Sequence, residues 1–214
     1  MIIGVTGKAR SGKDTFAKYL TECLKERHQR NFEHVAFAEP LKMMCKEHFE
    51  LSDDQLWESG KNIREVPDKR FKKVLIPKSD DDYWTPREIM QHLGGFYRRI
   101  EYDFWVKALN LYLISNDVKD AIITDVRHIN ECEFVKINKG VLIKIFREGV
   151  DEIHGMQHES ETALDDRPGD YFDIEINNCG TLEDLYIAAE DSSNAIMMIE
   201  NMINRGRIVK DGKE

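Results

Sequence analysis

A three-layer α/β fold, built on a parallel sheet of about five strands, is what this sequence predicts, and three observations predict it. Short apolar runs alternate with helical stretches, so each strand returns to the sheet through a helix in a right-handed crossover. The first run, Met1-Ile2-Ile3-Gly4-Val5-Thr6, leads directly into the glycine-bearing segment Gly7-Lys8-Ala9-Arg10-Ser11-Gly12-Lys13-Asp14-Thr15. A later run, Ala121-Ile122-Ile123-Thr124-Asp125, stays apolar until it ends in a carboxylate, the pattern of a buried parallel strand whose C-terminal end faces a ligand.

Taken in chain order, strands are expected at 2–6, 34–38, 121–125, 141–146 and 172–176, with helices at 13–29, 40–49, 86–98, 99–115, 128–138 and 181–203. The helix after Gly12 is amphipathic through Phe16, Leu20, Cys23 and Leu24. Gly7 and Gly12 lack a Cβ, so the turn between strand and helix can curl and aim consecutive N–H groups at one anion. Lys13 adds a mobile charge for outer phosphates, which completes a P-loop of the form Gly-x-x-x-x-Gly-Lys-Ser/Thr. Asp14 stands where that pattern has a magnesium-binding hydroxyl, with Thr15 one residue later. Either Asp14 holds the metal, or Thr15 does and Asp14 caps the helix.

Segment 50–84 breaks the alternation. It is dense in charge (Asp53-Asp54, Lys69-Arg70, Lys72-Lys73, Asp80-Asp81-Asp82) and has little periodicity. A stretch of this length reads either as solvated loop or as part of an acceptor-binding insertion over 50–98, where Arg64 and Arg70 are candidates. Thr85-Pro86-Arg87-Glu88 then marks a helix start, with a capping box and proline at the first helical position. Arg87, Gln91, Gly94 and Arg98 fall on one face of that helix, opposite Ile89, Met90, Leu93 and Phe96. A guanidinium fork, an amide and a small residue suit a monophosphate and a base edge, and equally describe a solvated helix face.

Further along, Asp125 ends its strand and Arg127 follows within reach of phosphate. Arg147 follows the run Val141–Phe146, and the segment 147–170 reads as a lid in which Arg147 and Arg167 compete for the charge-neutralising role. His154 and His158 lie four apart, but Gly155 and the lack of a third ligand argue against a metal site. The helix over 181–203 is polar at Glu190-Asp191-Ser192-Ser193-Asn194, where a break is expected.

Composition narrows the class. The 214 residues carry 40 acidic and 31 basic side chains, a net charge of −9, which argues against a general nucleic-acid surface. No apolar run reaches membrane-spanning length and no signal peptide is visible, so a cytoplasmic protein is expected. The four cysteines, Cys23, Cys45, Cys132 and Cys179, are scattered and read as reduced.

These residues resemble the bacteriophage deoxynucleoside monophosphate kinases, a branch of the P-loop nucleotide kinases. The likeness is carried in order by Arg10-Ser11-Gly12-Lys13-Asp14-Thr15, Arg87-x-x-Met90-Gln91-x-Leu93-Gly94 and Trp105-Val106-Lys107. It continues through Asp125-x-Arg127 with Glu131, His158 with Glu161, and Asn177-Asn178-x-Gly180-Thr181-Leu182-Glu183. Two positions depart from the family pattern: Ala9 precedes Arg10 where a lysine is common, and Gly95 follows Gly94 where threonine is common.

The resemblance implies a single kinase domain over 1–214 that uses ATP and magnesium to phosphorylate a deoxynucleoside monophosphate. It implies that Gly7, Arg10, Ser11, Gly12, Lys13, Asp14 and Thr15 hold ATP and its metal. It implies that Arg87, Gln91, Gly94, Trp105, Asp125, Arg127 and Glu131 form the acceptor side, with Trp105 either stacking on the base or packing. It also implies action in the cytoplasm, that of the host for a phage protein, and a homodimer is compatible with it. A phosphomevalonate-type kinase shares the Ser-Gly-Lys-Asp loop, and a nucleotide-dependent switch is the non-enzymatic alternative.

Overall fold

The computed structural model describes residues 1–57, 63–74, 83–149, 164 and 171–206. The chain divides into two compact units, one comprising Met1–Ala36 with Asn110–Glu214 and the other Phe37–Leu109. The acceptor-binding insertion expected over 50–98 falls within the second.

The first unit holds a five-stranded parallel sheet: β1 (Ile2–Thr6), β2 (Glu33–Val35), β3 (Ala121–Val126), β4 (Val141–Phe146) and β5 (Ile174–Asn177), in the order β2-β3-β1-β4-β5. β1 is central, with all five of its residues buried, so the segment that follows it leaves from the middle of the sheet's C-terminal edge. That edge is where parallel sheets bind ligands.

Alternation along β1 builds the layers. Ile3 and Val5 join Phe16, Leu20 and Leu24 of α1 (Lys13–His28) and Leu185, Ala189 and Ile196 of α7 (Leu182–Asn204) in one apolar cluster. Gly4 faces the other way, toward α6 (Ile129–Ile137), and a Cβ there would sit 2.9 Å from Val135 Cγ2. Helices therefore cover both faces of β1, and the buried, β-branched strands follow from that double cover.

Several boundaries differ from the sequence expectation. β2 runs over Glu33–Val35, ending three residues before the expected 38, and β5 over Ile174–Asn177, shifted by one or two residues at its ends. α7 is continuous from Leu182 to Asn204, with no break at 190–194. Ser192 and Ser193 are buried there, and their hydroxyls donate to the carbonyls of Ala188 (2.6 Å) and Glu190 (2.7 Å), so their polarity is satisfied inside the helix.

A charged knot ties the N-terminus to the rest of the sheet. Asp120, just before β3, accepts from the Met1 ammonium (2.7 Å) and from Arg30 (2.6 Å), whose other nitrogen reaches Glu200 of α7 (2.9 Å). Burial pushes the Asp120 carboxyl up, but the bonds from Arg30 and the N-terminus outweigh it and leave its pKa below the ordinary value. A depressed carboxylate stabilises the fold above its unfolded pKa, and that contribution is lost as pH falls below about 4. Asp120→Asn is expected to cost about 2 kcal/mol at pH 7. Urea unfolding at pH 7 and pH 3 checks it: the gap between variant and wild type should narrow at the lower pH.

The second unit is helical. It contains α2 (Glu39–Phe49), the short α3 (Asp53–Leu56), a 3-10 turn at Ile63–Glu65 and α4 (Pro86–Ile100), and ends within α5 (Phe104–Ser115). Its core is Leu41, Cys45, Leu51, Leu56, Ile89 and Trp105. α4 begins as its sequence requires: Thr85 Oγ1 accepts from Glu88 N at 3.1 Å, and Glu88 accepts from Thr85 N at 2.8 Å. α5 starts at Phe104, five residues later than expected, because α4 continues to Ile100.

Candidate active site

The loop between β1 and α1 has the backbone that an anion cradle needs. Arg10 (φ 64°) and Gly12 (φ 91°) are both in the left-handed region, and Ser11 N bonds back to Lys8 O at 3.1 Å to close the turn. Gly12 takes the N-cap position of α1, and no side chain among the described residues caps the helix, the arrangement in which helix N-termini take up anions. Asp14 is in the first helical turn with its side chain 75% exposed, which removes the helix-capping alternative. Its carboxylate lies 3.3 Å from Lys13 Nζ.

The glycines in this loop are required by what surrounds them. A Cβ on Gly7 would meet Ser11 Oγ at 2.6 Å and the Ile145 carbonyl at 2.7 Å. Ser11 Oγ is itself buried with no hydrogen-bond partner among the described residues. An unsatisfied buried hydroxyl beside a curled, uncapped helix start fits a phosphate chain as ligand. Asp14 and Thr15 supply hard oxygen donors of the kind magnesium takes alongside phosphate oxygens and water. Among the described residues no cluster of three or more His, Cys, Asp or Glu forms a protein-only metal site.

β3 lies beside β1 and brings Asp125 to the same edge. The pairing runs Gly4 with Ile123 and then Thr6 with Val126, so β3 carries one extra residue across Thr124–Asp125. Such a slip re-aims a side chain at a strand end. Arg127 comes next, and Arg147 follows β4 on the opposite side of β1, exposed. The sheet order thus collects the P-loop, Asp125, Arg127 and Arg147 at its C-terminal edge.

Glu131, expected on the acceptor side, is 1% exposed and turned inward. Its carboxylate accepts from Arg127 N (2.7 Å) and His128 N (3.0 Å), closing the first turn of α6. It fixes the backbone that presents Arg127. The spacing Arg127-His128-x-x-Glu131 carried that signal, as an acidic residue at the third helical position.

In the second unit, Arg87 is exposed and its guanidinium pairs with Glu65 of the 3-10 turn. Gln91 is half-buried on the same helix. Trp105 is 3% exposed, sandwiched edge-on against Tyr97 and Phe104, and its indole N–H donates to Gly94 O at 3.1 Å. It is packed into the core of the second unit. Gly94 is small because α4 approaches α2 there: a Cβ would lie 3.3 Å from Leu41 Cδ2. Arg70 forks onto Asp68 (2.7 Å), which holds that carboxyl far below its usual pKa, and Arg64 bonds Leu56 O. Arg167, His154, His158, Glu159 and Glu161 lie outside the described residues.

The sequence signal missed at this site is Asn178. It is buried in the turn after β5, and its side-chain amide donates to Ser11 O of the P-loop at 2.8 Å. Its position in the Asn177-Asn178-x-Gly180 block marked it, but nothing in the local sequence shows a contact 167 residues away.

Comparison with known proteins follows the same lines. Residues 43–188 match the family model for deoxynucleotide monophosphate kinase. A protein of Acanthamoeba polyphaga mimivirus, named as a deoxynucleotide monophosphate kinase, is 32% identical over 202 residues, covering 87% of this chain and 92% of its own. The deoxynucleotide monophosphate kinase of Escherichia phage RB69 is 32% identical over 118 residues, 51% of this chain and 45% of that protein. Among solved structures, dephospho-CoA kinase from Campylobacter jejuni aligns with 97% of this chain and 98% of its own at 13% identity and a TM-score of 0.43, too distant to bear on function. With its family-model match across most of the chain and a relative aligned almost end to end, this protein belongs to the deoxynucleotide monophosphate kinase family and is a nucleotide kinase.

Proposed function

We propose that this protein transfers the γ-phosphoryl group of ATP, with magnesium, to a deoxynucleoside 5′-monophosphate, giving ADP and the diphosphate. The observation that carries the reading is the uncapped, left-handed Gly7–Thr15 loop with the buried Ser11 hydroxyl, set next to Asp125 on the neighbouring strand. The setting proposed is the cytoplasm, where ATP and monophosphates are both available. No helix among the described residues is long and apolar enough to cross a membrane.

The chemistry asks the chain to hold charge and to align two substrates. Backbone N–H groups from Gly12 to Asp14 cradle the phosphate chain, and Lys13 and Arg10 offset the charge that spreads over the transferring group. Arg147 serves as the lid cation. Asp14 and Thr15 would hold the metal, whose chemistry when bound would be to neutralise and orient phosphate oxygens. Asp125 orders the hydration around it or accepts a bond from the acceptor. Arg87, Gln91 and Arg127 orient the monophosphate, with Glu131 fixing the Arg127 backbone. No general base is required, because the acceptor oxygen is already anionic near neutral pH.

Arg87 can take this role despite its ion pair with Glu65. Both side chains are about half exposed, and such pairs contribute little, so an acceptor phosphate can displace the carboxylate. Arg87→Ala is expected to raise the acceptor KM by about tenfold and leave the ATP KM unchanged. Equal effects on both substrates in steady-state turnover would reject the role.

The experiment that tests the reading is ADP release with ATP and magnesium against a panel of deoxynucleoside and nucleoside monophosphates, with mevalonate 5-phosphate alongside. Stimulation by one or more deoxynucleoside monophosphates is the expected result. Stimulation by mevalonate 5-phosphate alone would move the acceptor to another class. ATP binding without stimulation by any acceptor would favour a switch.

A further inference from the structure

We infer that Asn178 is a positioning residue for the P-loop, setting the direction of the N–H group on Gly12 from the far end of the chain. The inference rests on reading Gly7–Thr15 as the loop that holds the phosphates of ATP.

The Asn178 side chain is buried, and its Nδ2 donates to the Ser11 carbonyl at 2.8 Å. There is no cis peptide bond in the described residues. In a planar trans peptide the carbonyl and the following N–H point in opposite directions. Holding Ser11 C=O toward Asn178 therefore turns Gly12 N–H away from it, which on the phosphate-loop reading is the side that meets the phosphate chain. Without that bond the Ser11–Gly12 peptide is free to rotate, since Gly12 tolerates either sign of φ. A rotated peptide would aim a carbonyl oxygen, and not an N–H, at the phosphate chain.

Asn178 is itself held at both ends. Its backbone N–H extends the sheet by donating to Phe146 O at 2.7 Å. Three residues on, Thr181 caps α7: its hydroxyl accepts from Asp184 N at 3.2 Å, and its own N–H donates to Asp184 Oδ2 at 2.7 Å. Between these anchors, Cys179 Sγ accepts from Glu148 N at 3.4 Å, so the same turn touches the segment that carries Arg147. The contact with the P-loop is close: a Cβ added to Gly12 would lie 2.3 Å from Asn178 Nδ2. The turn after β5 thus braces two parts of the phosphate site that are far apart in sequence.

Binding of ATP and of inorganic tripolyphosphate, which has the phosphate chain without base or sugar, tests this by calorimetry on the full chain. The variants are Asn178→Ala, which removes the side chain, and Asn178→Leu, which keeps its branching and adds no charge. Both are expected to lose about tenfold in affinity for both ligands. In turnover the ATP KM should rise while the acceptor KM stays at the wild-type value. Wild-type tripolyphosphate affinity in either folded variant would overturn the proposal, as would a loss for ATP alone, which would assign Asn178 to the base. Should Asn178→Ala not fold, Asn178→Leu carries the test, and collapse of both would make Asn178 a stability residue and overturn it too. A wild-type chain that binds tripolyphosphate but releases no ADP with any monophosphate removes the kinase reading and leaves this test standing. A wild-type chain that binds neither ligand removes both.

Discussion

Lys13→Met is expected to lower turnover by about three orders of magnitude while the protein stays folded. Lys13 is the first side chain of α1, its side chain is mostly covered, and its ammonium meets the exposed Asp14 carboxylate at 3.3 Å. Methionine matches the length and apolar body of that stem, so packing is kept. A pair this exposed on the acidic side contributes little to stability, and the melting temperature should change by no more than a few degrees. What is lost is a positive charge placed where negative charge spreads during transfer. The loss should fall mainly on kcat, because backbone N–H groups still hold the ground-state phosphates. Single-turnover ADP formation and thermal melting check both halves. Turnover within about tenfold of wild type would remove Lys13 from the chemistry.

Gly12→Ala is expected to cost about a hundredfold in ATP affinity, with the fold destabilised but retained. Two separate effects act at this position. Its φ of 91° lies where a Cβ is strained whatever the surroundings allow. That Cβ would also meet the Asn178 amide at 2.3 Å, so either the loop or the turn after β5 must move. Either movement disturbs the N–H groups that hold phosphate. Calorimetric titration with ATP, beside a thermal melt, is the measurement. Near-wild-type affinity would mean that this peptide does not set the phosphate site.

Both variants act on a segment that was legible in the sequence because its chemistry is local. Two glycines, a lysine and a preceding apolar run are enough to specify a strand, a curled loop and a helix start within 15 residues. The same holds for the start of α4, where Thr85 and Glu88 satisfy each other's backbone partners. Asp125 was legible in part: its run ends at a sheet edge, but only the β1–β3 pairing puts it beside the loop.

What the sequence left undecided shares one cause. Trp105 and Glu131 look like ligand-binding side chains by type, yet both point inward and satisfy their polar atoms on backbone groups of their own neighbourhood. The serines at the centre of α7 look like a break and are instead buried with their hydroxyls bonded one turn back. Polarity in a sequence does not say whether a partner is water, substrate or a carbonyl; burial decides that, and burial is a property of packing.

The sequence by itself determined the alternation of strands and helices, the phosphate loop and the class of chemistry, because periodicity, glycine placement and a lysine act over a few residues. Only the tertiary structure decided the strand order that gathers Asp125, Arg127 and Arg147 around β1, and the contact of Asn178 with Ser11. Those depend on which strands pair and which side chains are buried, and the free energy of such long-range choices is spread over the whole core and written in no single stretch of the chain.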